Sequence, residues 1–290
     1  MNTIDWGQAA VNNTNGFGKA PTNNTIDFGE VCADSWSPET NLTGAGGTPS
    51  YENEYSFQFD GIDDYIQTNS TYSELNGLTK ASFSIWVKPI AGAPKLEYAL
   101  SNPRSTTGNQ AQFALVIYES NIVEFFINSR TSQRVTASIS NINYGSWNHI
   151  LVTIDLSLTA GSRGKMFING SDVGTSAMGS TSSFYNATDV LYIGEEANNA
   201  FNPFNGNIDE VAIWAGTDLR SNASDIYNLG VPNNLNDNGL TAPTTWYRMG
   251  EEANYTGRNW DLIDQGSGGN NGFSDTLPAP PAQPSTDVPT

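Results

Sequence analysis

Short runs in which apolar and polar residues alternate fill the middle of the chain, from about residue 51 to residue 215. In 55–59, for example, every second residue is aromatic and the residues between are polar, which is the period of a strand with one buried face. Residues 113–118 and 122–127 are largely apolar on both faces, as expected of central strands in a sandwich. The pattern therefore predicts many short strands and no long helix.

Turn signals separate these runs. Asn169-Gly170 lies between two apolar runs and predicts a two-residue hairpin whose residues take positive φ. A short helix is predicted at 223–229, with Asn222 as its N-cap and Gly230 as its stop. Strands that follow one another without intervening helices pair in antiparallel fashion, so the predicted fold class is all-β, a sandwich of two antiparallel sheets.

Five short motifs stand out along these strands: FDGIDDYI at 59–66, FSIWVKP at 83–89, WNHILVT at 147–153, MFING at 166–170 and FNGNIDEVAIW at 204–214. They resemble, in the correct order, those of laminin-G-like domains, which are jelly rolls of the concanavalin A-like lectin type. The resemblance implies a two-sheet antiparallel jelly-roll sandwich, to which this chain adds an extended N-terminal arm and a proline-rich C-terminal tail.

The chain from residue 51 onwards is divided into three parts by the strand series, the family resemblance and the proline content. Residues 51–232 are predicted to form the jelly roll, and residues 276–290 a proline-rich, extended tail for spacing or docking. The segment 233–275 contains Trp246 and resembles the stretch that normally precedes such a domain. We expect it to add a strand to the same sandwich, in the manner of a permuted first strand; the alternative is a truncated second domain.

Residues 1–50 contain a hexad that recurs with a step of eleven residues, with an aromatic residue before a glycine in each copy. A short repeat with one aromatic per copy has no hydrophobic core of its own, so an N-terminal arm that anchors on another surface is predicted. The alternative is a flexible polar tail. The repeats loosely resemble the N-termini of structural proteins from marine bacteriophages. The aromatic residues of the arm are Trp6, Phe17 and Phe28.

The charge balance excludes some classes of partner. Twelve basic and thirty acidic side chains give a net charge of −18, which disfavours binding to nucleic acid and to anionic membrane surfaces. The single cysteine, Cys32, excludes an intrachain disulfide. Neither a signal peptide nor an apolar stretch long enough for a membrane span is visible. This composition fits a virion component assembled inside a cell, and it also fits a fragment of a longer chain.

Few residues offer catalytic chemistry. His149 is the only histidine; it is predicted to pack in a strand with no nucleophile near it, so serine or cysteine catalysis is not expected. A retaining glycoside hydrolase needs two carboxylates about 5–5.5 Å apart, whereas the strand candidates Glu119 and Glu124 flank a turn between separate strands. We therefore predict that the protein is not an enzyme and has no catalytic residues.

The resemblance implies a structural calcium ion, because many jelly rolls of this kind hold one near the first and last motifs. Carried over to this sequence, the ligands are Asp60 and Asp209, with Asp63 or Asp64 less favoured. Carboxylate and carbonyl oxygens are the ligands that calcium prefers. The alternative is that these acidic side chains cap turns and accept hydrogen bonds from backbone amides.

Glycan binding is the usual function of lectin-like jelly rolls. It needs polar side chains for sugar hydroxyls and an aromatic face for the apolar side of the ring, and the loop 195–204 contains both. The alternative is that its aromatic residues cap the core. Ligand contacts are predicted from Glu195, Glu196, Asn198, Asn199 and Phe201.

Three functions are compatible with these features. The favoured one is a non-enzymatic structural or adhesion protein on a virion surface, such as a decoration, fibre, collar or tail component. Its lectin-like domain would bind a host-surface glycan, while residues 1–50 contact other virion proteins or symmetry-related copies in an oligomer. The second is a secreted or surface carbohydrate-binding module of a bacterium, located outside the cell. The third, a glycoside hydrolase, requires two carboxylates facing each other across the concave sheet.

Overall fold

The computed structural model describes residues 51–91, 96–103, 111–120, 122–137, 142–179, 181–196 and 202–290. The predicted arm 1–50, with Trp6, Phe17 and Phe28, lies outside the described residues, as do Asn198, Asn199 and Phe201 of the predicted ligand loop. Residues Asn53–Thr290 form one compact unit, and the fold described below is that of this unit. Among the described residues, no helix is long and apolar enough to cross a membrane.

The described residues form seventeen strands and one short α-helix. In chain order they are β1 (Phe57–Asp60), β2 (Ile66–Thr68), β3 (Lys80–Pro89), β4 (Leu96–Pro103), β5 (Ala111–Tyr118), β6 (Val123–Ile127), β7 (Gln133–Ala137), β8 (Asn148–Asp155), β9 (Gly164–Ile168), β10 (Ser171–Asp172), β11 (Gly174–Met178), β12 (Tyr192–Ile193), β13 (Asn205–Ala215), α1 (Ala223–Tyr227), β14 (Thr245–Tyr247), β15 (Ala253–Tyr255), β16 (Trp260–Leu262) and β17 (Gly272–Ser274).

The first sheet has the strand order β1-β13-β3-β8-β9-β10. β3 pairs along almost the whole of β13, while β1 pairs with its first half and β14 with its second half. β1 and β14 therefore share one edge of β13. Trp246 of β14 lies opposite Ala212 and is buried, which is the pairing that an added strand from the C-terminal segment requires.

The second sheet has the order β11-β7-β6-β5-β4-β12-β2-β17-β16-β15. All of its pairs are antiparallel, and the C-terminal strands β17, β16 and β15 extend it beyond β2. The prediction of an all-β sandwich of two antiparallel sheets is confirmed.

The hydrophobic core lies between the two sheets. The ring of Phe83 in β3 lies 4.7 Å from the ring of Phe113 in β5 and 4.7 Å from that of Phe125 in β6. All three side chains are buried, as the period-two pattern of the first sheet and the apolar runs of the second predict. Aromatic packing across the inter-sheet space therefore joins the two layers.

The hairpin predicted at Asn169-Gly170 is present between β9 and β10, and both residues have positive φ, 50° and 75°. Glycine is needed there for a second reason, because a Cβ on Gly170 would lie 2.8 Å from the ring of Tyr227 in α1. The predicted helix is also present but shorter, ending at Tyr227.

The C-terminal tail lies against the exposed edge of β1. Ser285 forms a backbone bridge with Ser56, and the Gln283 side chain exchanges two hydrogen bonds with the backbone of Gln58. Asp287 accepts a hydrogen bond from the indole of Trp147 at 3.0 Å. These contacts pair backbone groups of an edge strand that would otherwise be open to another chain.

Candidate functional site

One register row crosses the whole outer face of the second sheet, the face turned away from the core. Directly paired residues in antiparallel strands lie on the same face, so the side chains of this row form a continuous line across nine strands, from β15 to β7. Polar and aromatic residues occupy much of it. In order from β15 to β11 the row is Asn254, Asp261, Phe273, Gln67, Tyr192, Ser101, Ala114, Phe126, Arg134 and Ala177.

A groove of about 370 Å³ lies at the β15 end of this row. Asn69, Asn254, Asp261 and Asn271 supply its polar lining, and Ile263 supplies an apolar side chain that is 50% exposed. The side chains of Asn69, Asn254 and Asp261 are exposed and make no hydrogen bond to other described residues. We refer to Asn69, Asn254, Asp261, Ile263 and Asn271 together as the polar groove.

The polar groove offers a defined set of interactions. The side-chain amides of Asn69 and Asn254 both donate and accept hydrogen bonds, and the Asp261 carboxylate accepts them. The exposed Ile263 side chain can pack against an apolar surface of a ligand. The lining contains no lysine, arginine or histidine, so the groove is suited to a hydroxyl-rich ligand without negative charge.

The middle of the outer face is closed by part of the loop predicted to bind ligand. Ser101 donates a hydrogen bond to the backbone oxygen of Glu195, and the buried Tyr98 hydroxyl hydrogen-bonds to Glu196. Asn202 in turn donates to the Glu196 carboxylate at 3.0 Å. The structure therefore places Glu195 and Glu196 over the sheet but away from the polar groove, and their predicted contact with a ligand stays a prediction.

Three acidic side chains meet in the turn after β1. Carboxylate oxygens of Asp60, Asp63 and Asp64 lie within 4.8 Å of one another. One oxygen of Asp60 accepts hydrogen bonds from the backbone of Ile62 and Asp63, and Asp64 accepts one from the backbone of Asp60. Burial, with the charges of Asp60 and Asp63 adding to it, raises the pKa of Asp64 to about 6. Carboxylate oxygens of the turn remain for a cation, whose charge would offset the repulsion among the three acidic side chains.

Asp209, the other predicted calcium ligand, lies elsewhere. Asp60 is paired with Asn205, whereas Asp209 lies four residues farther along β13, roughly 13 Å away at the rise of a strand. Asp209 is fully buried and accepts hydrogen bonds from Asn53 and from the backbone of Glu210. Burial and the charge of Glu210 raise its pKa well above the ordinary value. The structure does not bring Asp60 and Asp209 together, so the calcium prediction now concerns the three acidic residues of the turn.

Adding calcium is expected to raise the melting temperature if an ion is held by Asp60, Asp63 and Asp64. Binding to the folded state alone contributes about 2.7 kcal/mol at a hundredfold excess over the dissociation constant. The measurement is thermal unfolding with calcium and with a chelator, for the natural sequence, for Asp63→Asn and for the exposed Asp237→Asn as control. A calcium shift that is absent, or equal in all three proteins, would contradict the site.

The only histidine has a serine beside it, contrary to the prediction that no nucleophile lies near. The hydroxyl of Ser84 is 2.8 Å from Nε2 of His149, because β3 and β8 are adjacent and place both side chains on the outer face of the first sheet. Both residues are buried; the ring of Tyr227 stacks on the imidazole, and the indole of Trp86 lies tilted against it at 4.9 Å. Nδ1 of His149 has no hydrogen-bond partner among the described residues. Because both side chains are almost fully shielded from solvent, a substrate has no access to the pair. The same burial lowers the pKa of His149 to about 3.

Comparison with known proteins gives a family match. The family model described as "Concanavalin A-like lectin/glucanases superfamily", in its laminin G form, matches residues 60–219. No curated protein matches the chain in sequence. The polar groove, except for Asn69, lies outside the matched residues.

Several solved structures resemble this chain at low sequence identity. A putative carbohydrate-binding protein from Bacteroides ovatus is 15% identical with a TM-score of 0.59, and the match covers 82% of this chain and 62% of that one. The heptameric SAP-like pentraxin from Limulus polyphemus is 16% identical with a TM-score of 0.46, covering 61% and 84%. Domains LG4-5 of the mouse laminin alpha1 chain are 15% identical with a TM-score of 0.42, covering 57% and 43%.

Proposed function

The chain belongs to the concanavalin A-like lectin/glucanase superfamily, and from that membership we propose that it is a non-enzymatic carbohydrate-binding protein whose binding site is the polar groove. The observation that carries the proposal is the set of exposed side chains of Asn69, Asn254 and Asp261, which make no hydrogen bond within the described part of the chain, beside the apolar Ile263. Sugar rings combine hydroxyl groups with an apolar face, and the groove offers a counterpart for each.

The chemistry of the groove favours a neutral sugar over other small ligands. A phosphate or sulfate ligand would need a cation or a cluster of amide donors, and the lining has a carboxylate instead. A metal ion would need several oxygen ligands with negative charge, whereas Asp261 is the only acidic side chain of the lining. Hydroxyl groups of a sugar donate to Asp261 and exchange hydrogen bonds with the asparagines.

The same lining supports binding without hydrolysis. Glycosidases use two carboxylates on opposite sides of the scissile bond, about 5–10 Å apart. With Asp261 as its one carboxylate, the polar groove has no second acid for proton transfer or nucleophilic attack. We therefore propose that a glycan bound in the polar groove is released without being hydrolysed.

Replacing Asp261 with alanine is expected to reduce glycan binding at least tenfold. The carboxylate accepts charge-assisted hydrogen bonds, each contributing about 1.5–3 kcal/mol. The measurement is the signal of the fluorescently labelled full-length chain on an array of defined neutral glycans, followed by titration of the strongest ligand. Asp237→Ala removes another exposed carboxylate, outside the groove, and is expected to bind as the natural sequence does. An array without any signal for the natural sequence would refute the function.

We further propose that the carbohydrate-binding domain serves adhesion on a virion or another large particle, displayed by the N-terminal arm. The support is the eleven-residue repeat of residues 1–50, which carries one aromatic residue per copy. A bacterial surface or secreted module remains the second proposal.

If the arm docks on sister copies, the full chain is expected to sediment as an oligomer and residues 51–290 as a monomer. Equal sedimentation as monomers would contradict copy-to-copy docking.

A further inference from the structure

At the opposite end of the outer face from the polar groove, two arginines share one carboxylate. Nε of Arg130 is 2.9 Å from one oxygen of Glu124, and a terminal nitrogen of Arg134 is 3.5 Å from the other. The Glu124 side chain is only 5% exposed, whereas that of Arg134 is 47% exposed. We call Arg130 and Arg134 the arginine pair.

The charge balance of this cluster differs from that of the other ion pairs in the described part of the chain. Arg248 contacts two carboxylates, those of Glu210 and Glu251. In the arginine pair two cations face one carboxylate, which leaves a positive charge in excess on a protein whose net charge is −18. The remaining described ion pairs match one cation to one carboxylate and are Lys80–Asp155, Lys88–Asp287, Lys165–Asp172 and Arg220–Asp218.

Neighbouring aromatic residues hold Arg130 in place. Its guanidinium lies 5.5 Å from the ring centre of Tyr118 and 5.9 Å from that of Phe126, and it also donates a hydrogen bond to the Tyr118 hydroxyl. Arg130 is thus fixed by stacking and by two hydrogen bonds. Arg134 has only its long contact with Glu124 among the described residues, so most of its five N–H donors are available to a ligand.

We propose that the arginine pair binds the carboxylate of an acidic saccharide, an inference that rests on the carbohydrate-binding function proposed above. A guanidinium group presents two parallel N–H donors that match the two oxygens of a carboxylate. Tyr118, which is half-buried, adds an aromatic surface for the sugar ring. The site is distinct from the polar groove, because seven strand spacings of about 4.8 Å, roughly 30 Å, separate Arg134 from Asp261 along the row.

The test compares two ligands that differ only in charge. Isothermal titration of the full chain uses a tetrasaccharide that contains glucuronic acid and the same tetrasaccharide with its carboxyl groups reduced to alcohols. The acidic ligand is expected to bind at least tenfold more tightly. Arg134→Gln is expected to remove this preference, and Arg258→Gln, which removes an exposed arginine of the turn between β15 and β16, is expected to retain it.

Three results would overturn the proposal: equal binding of the two ligands, no binding of the acidic one, or an unchanged preference in Arg134→Gln. Because Arg134 is half exposed, its replacement is not expected to unfold the protein, and the melting temperature of each variant checks this. Failure here is separable from failure of the proposed function. If one of these three results is found while neutral glycans still bind in an Asp261-dependent way, only the arginine site is refuted, whereas an array without any signal refutes carbohydrate binding itself.

Discussion

Replacing Trp260 with alanine is expected to lower the free energy of unfolding by about 3–5 kcal/mol, the usual cost of removing a large buried aromatic side chain. Trp260 in β16 is 3% exposed. Its ring meets that of Phe57 edge to face at 5.2 Å and that of Tyr255 at the same distance. Its indole also donates a hydrogen bond to the backbone oxygen of Pro278 at 2.8 Å. The Trp260 side chain thus connects β1, β15 and the C-terminal tail.

The measurement is denaturant unfolding followed by fluorescence and circular dichroism. Trp147→Ala is the matched control, since this half-exposed indole makes one hydrogen bond to Asp287 and is expected to cost about 1 kcal/mol. If the C-terminal segment were a truncated second domain, Trp260→Ala would leave the main transition unchanged and weaken a separate one. That outcome would contradict the single sandwich.

Local sequence patterns were sufficient to predict the strands that alternate strongly or that are apolar throughout. The β3 and β8 runs, the Asn169-Gly170 turn and the apolar β5 and β6 segments each carry their own period or turn signal, so their existence followed from the chain alone. The strands β15 to β17 have three residues each, which is too short for a period to be visible. β17 pairs with β2, some two hundred residues earlier, and this pairing depends on the tertiary fold.

The polar groove could not be predicted for the same reason. Asn69 follows β2, while Asn254, Asp261 and Asn271 come from the last forty residues, and only the register of β2, β17, β16 and β15 brings them together. The prediction of a ligand loop at 195–204 relied on residues that are adjacent in sequence. Ser84 and His149 show the same limit, because their contact depends on the pairing of β3 with β8.

A second large effect is expected at Glu97, which lies on the core side of β4 opposite Ile117. The side chain is 1% exposed, and neither carboxyl oxygen makes a well-formed hydrogen bond within the described residues. Burial raises the pKa of Glu97 from 4.5 to about 8, and the backbone of Asn205 offsets only part of this effect. The folded protein therefore holds Glu97 protonated at neutral pH.

Glu97→Gln is consequently expected to stabilise the protein on the alkaline side by a few kcal/mol. With the folded-state pKa above the unfolded one, the folded state binds the extra proton, so the stability contributed by Glu97 is complete below about pH 4.5. It is lost as the pH rises towards 8, because the unfolded chain releases the proton first. Glutamine keeps the shape of the protonated acid and does not titrate. The two proteins should therefore be equally stable at pH 4 and diverge up to pH 8.

The measurement is the free energy of unfolding between pH 4 and pH 9 for the natural sequence, for Glu97→Gln and for Glu119→Gln, which replaces an exposed glutamate in the turn after β5. Other titrating groups, such as Asp64 and His149, are common to all three proteins and cancel in the differences. Parallel curves for the natural sequence and Glu97→Gln would show that Glu97 ionises in the folded protein, and that water or backbone groups solvate it there. A divergence confined to Glu97→Gln would instead show that ionising one carboxyl within the sandwich weakens the whole fold as the pH rises.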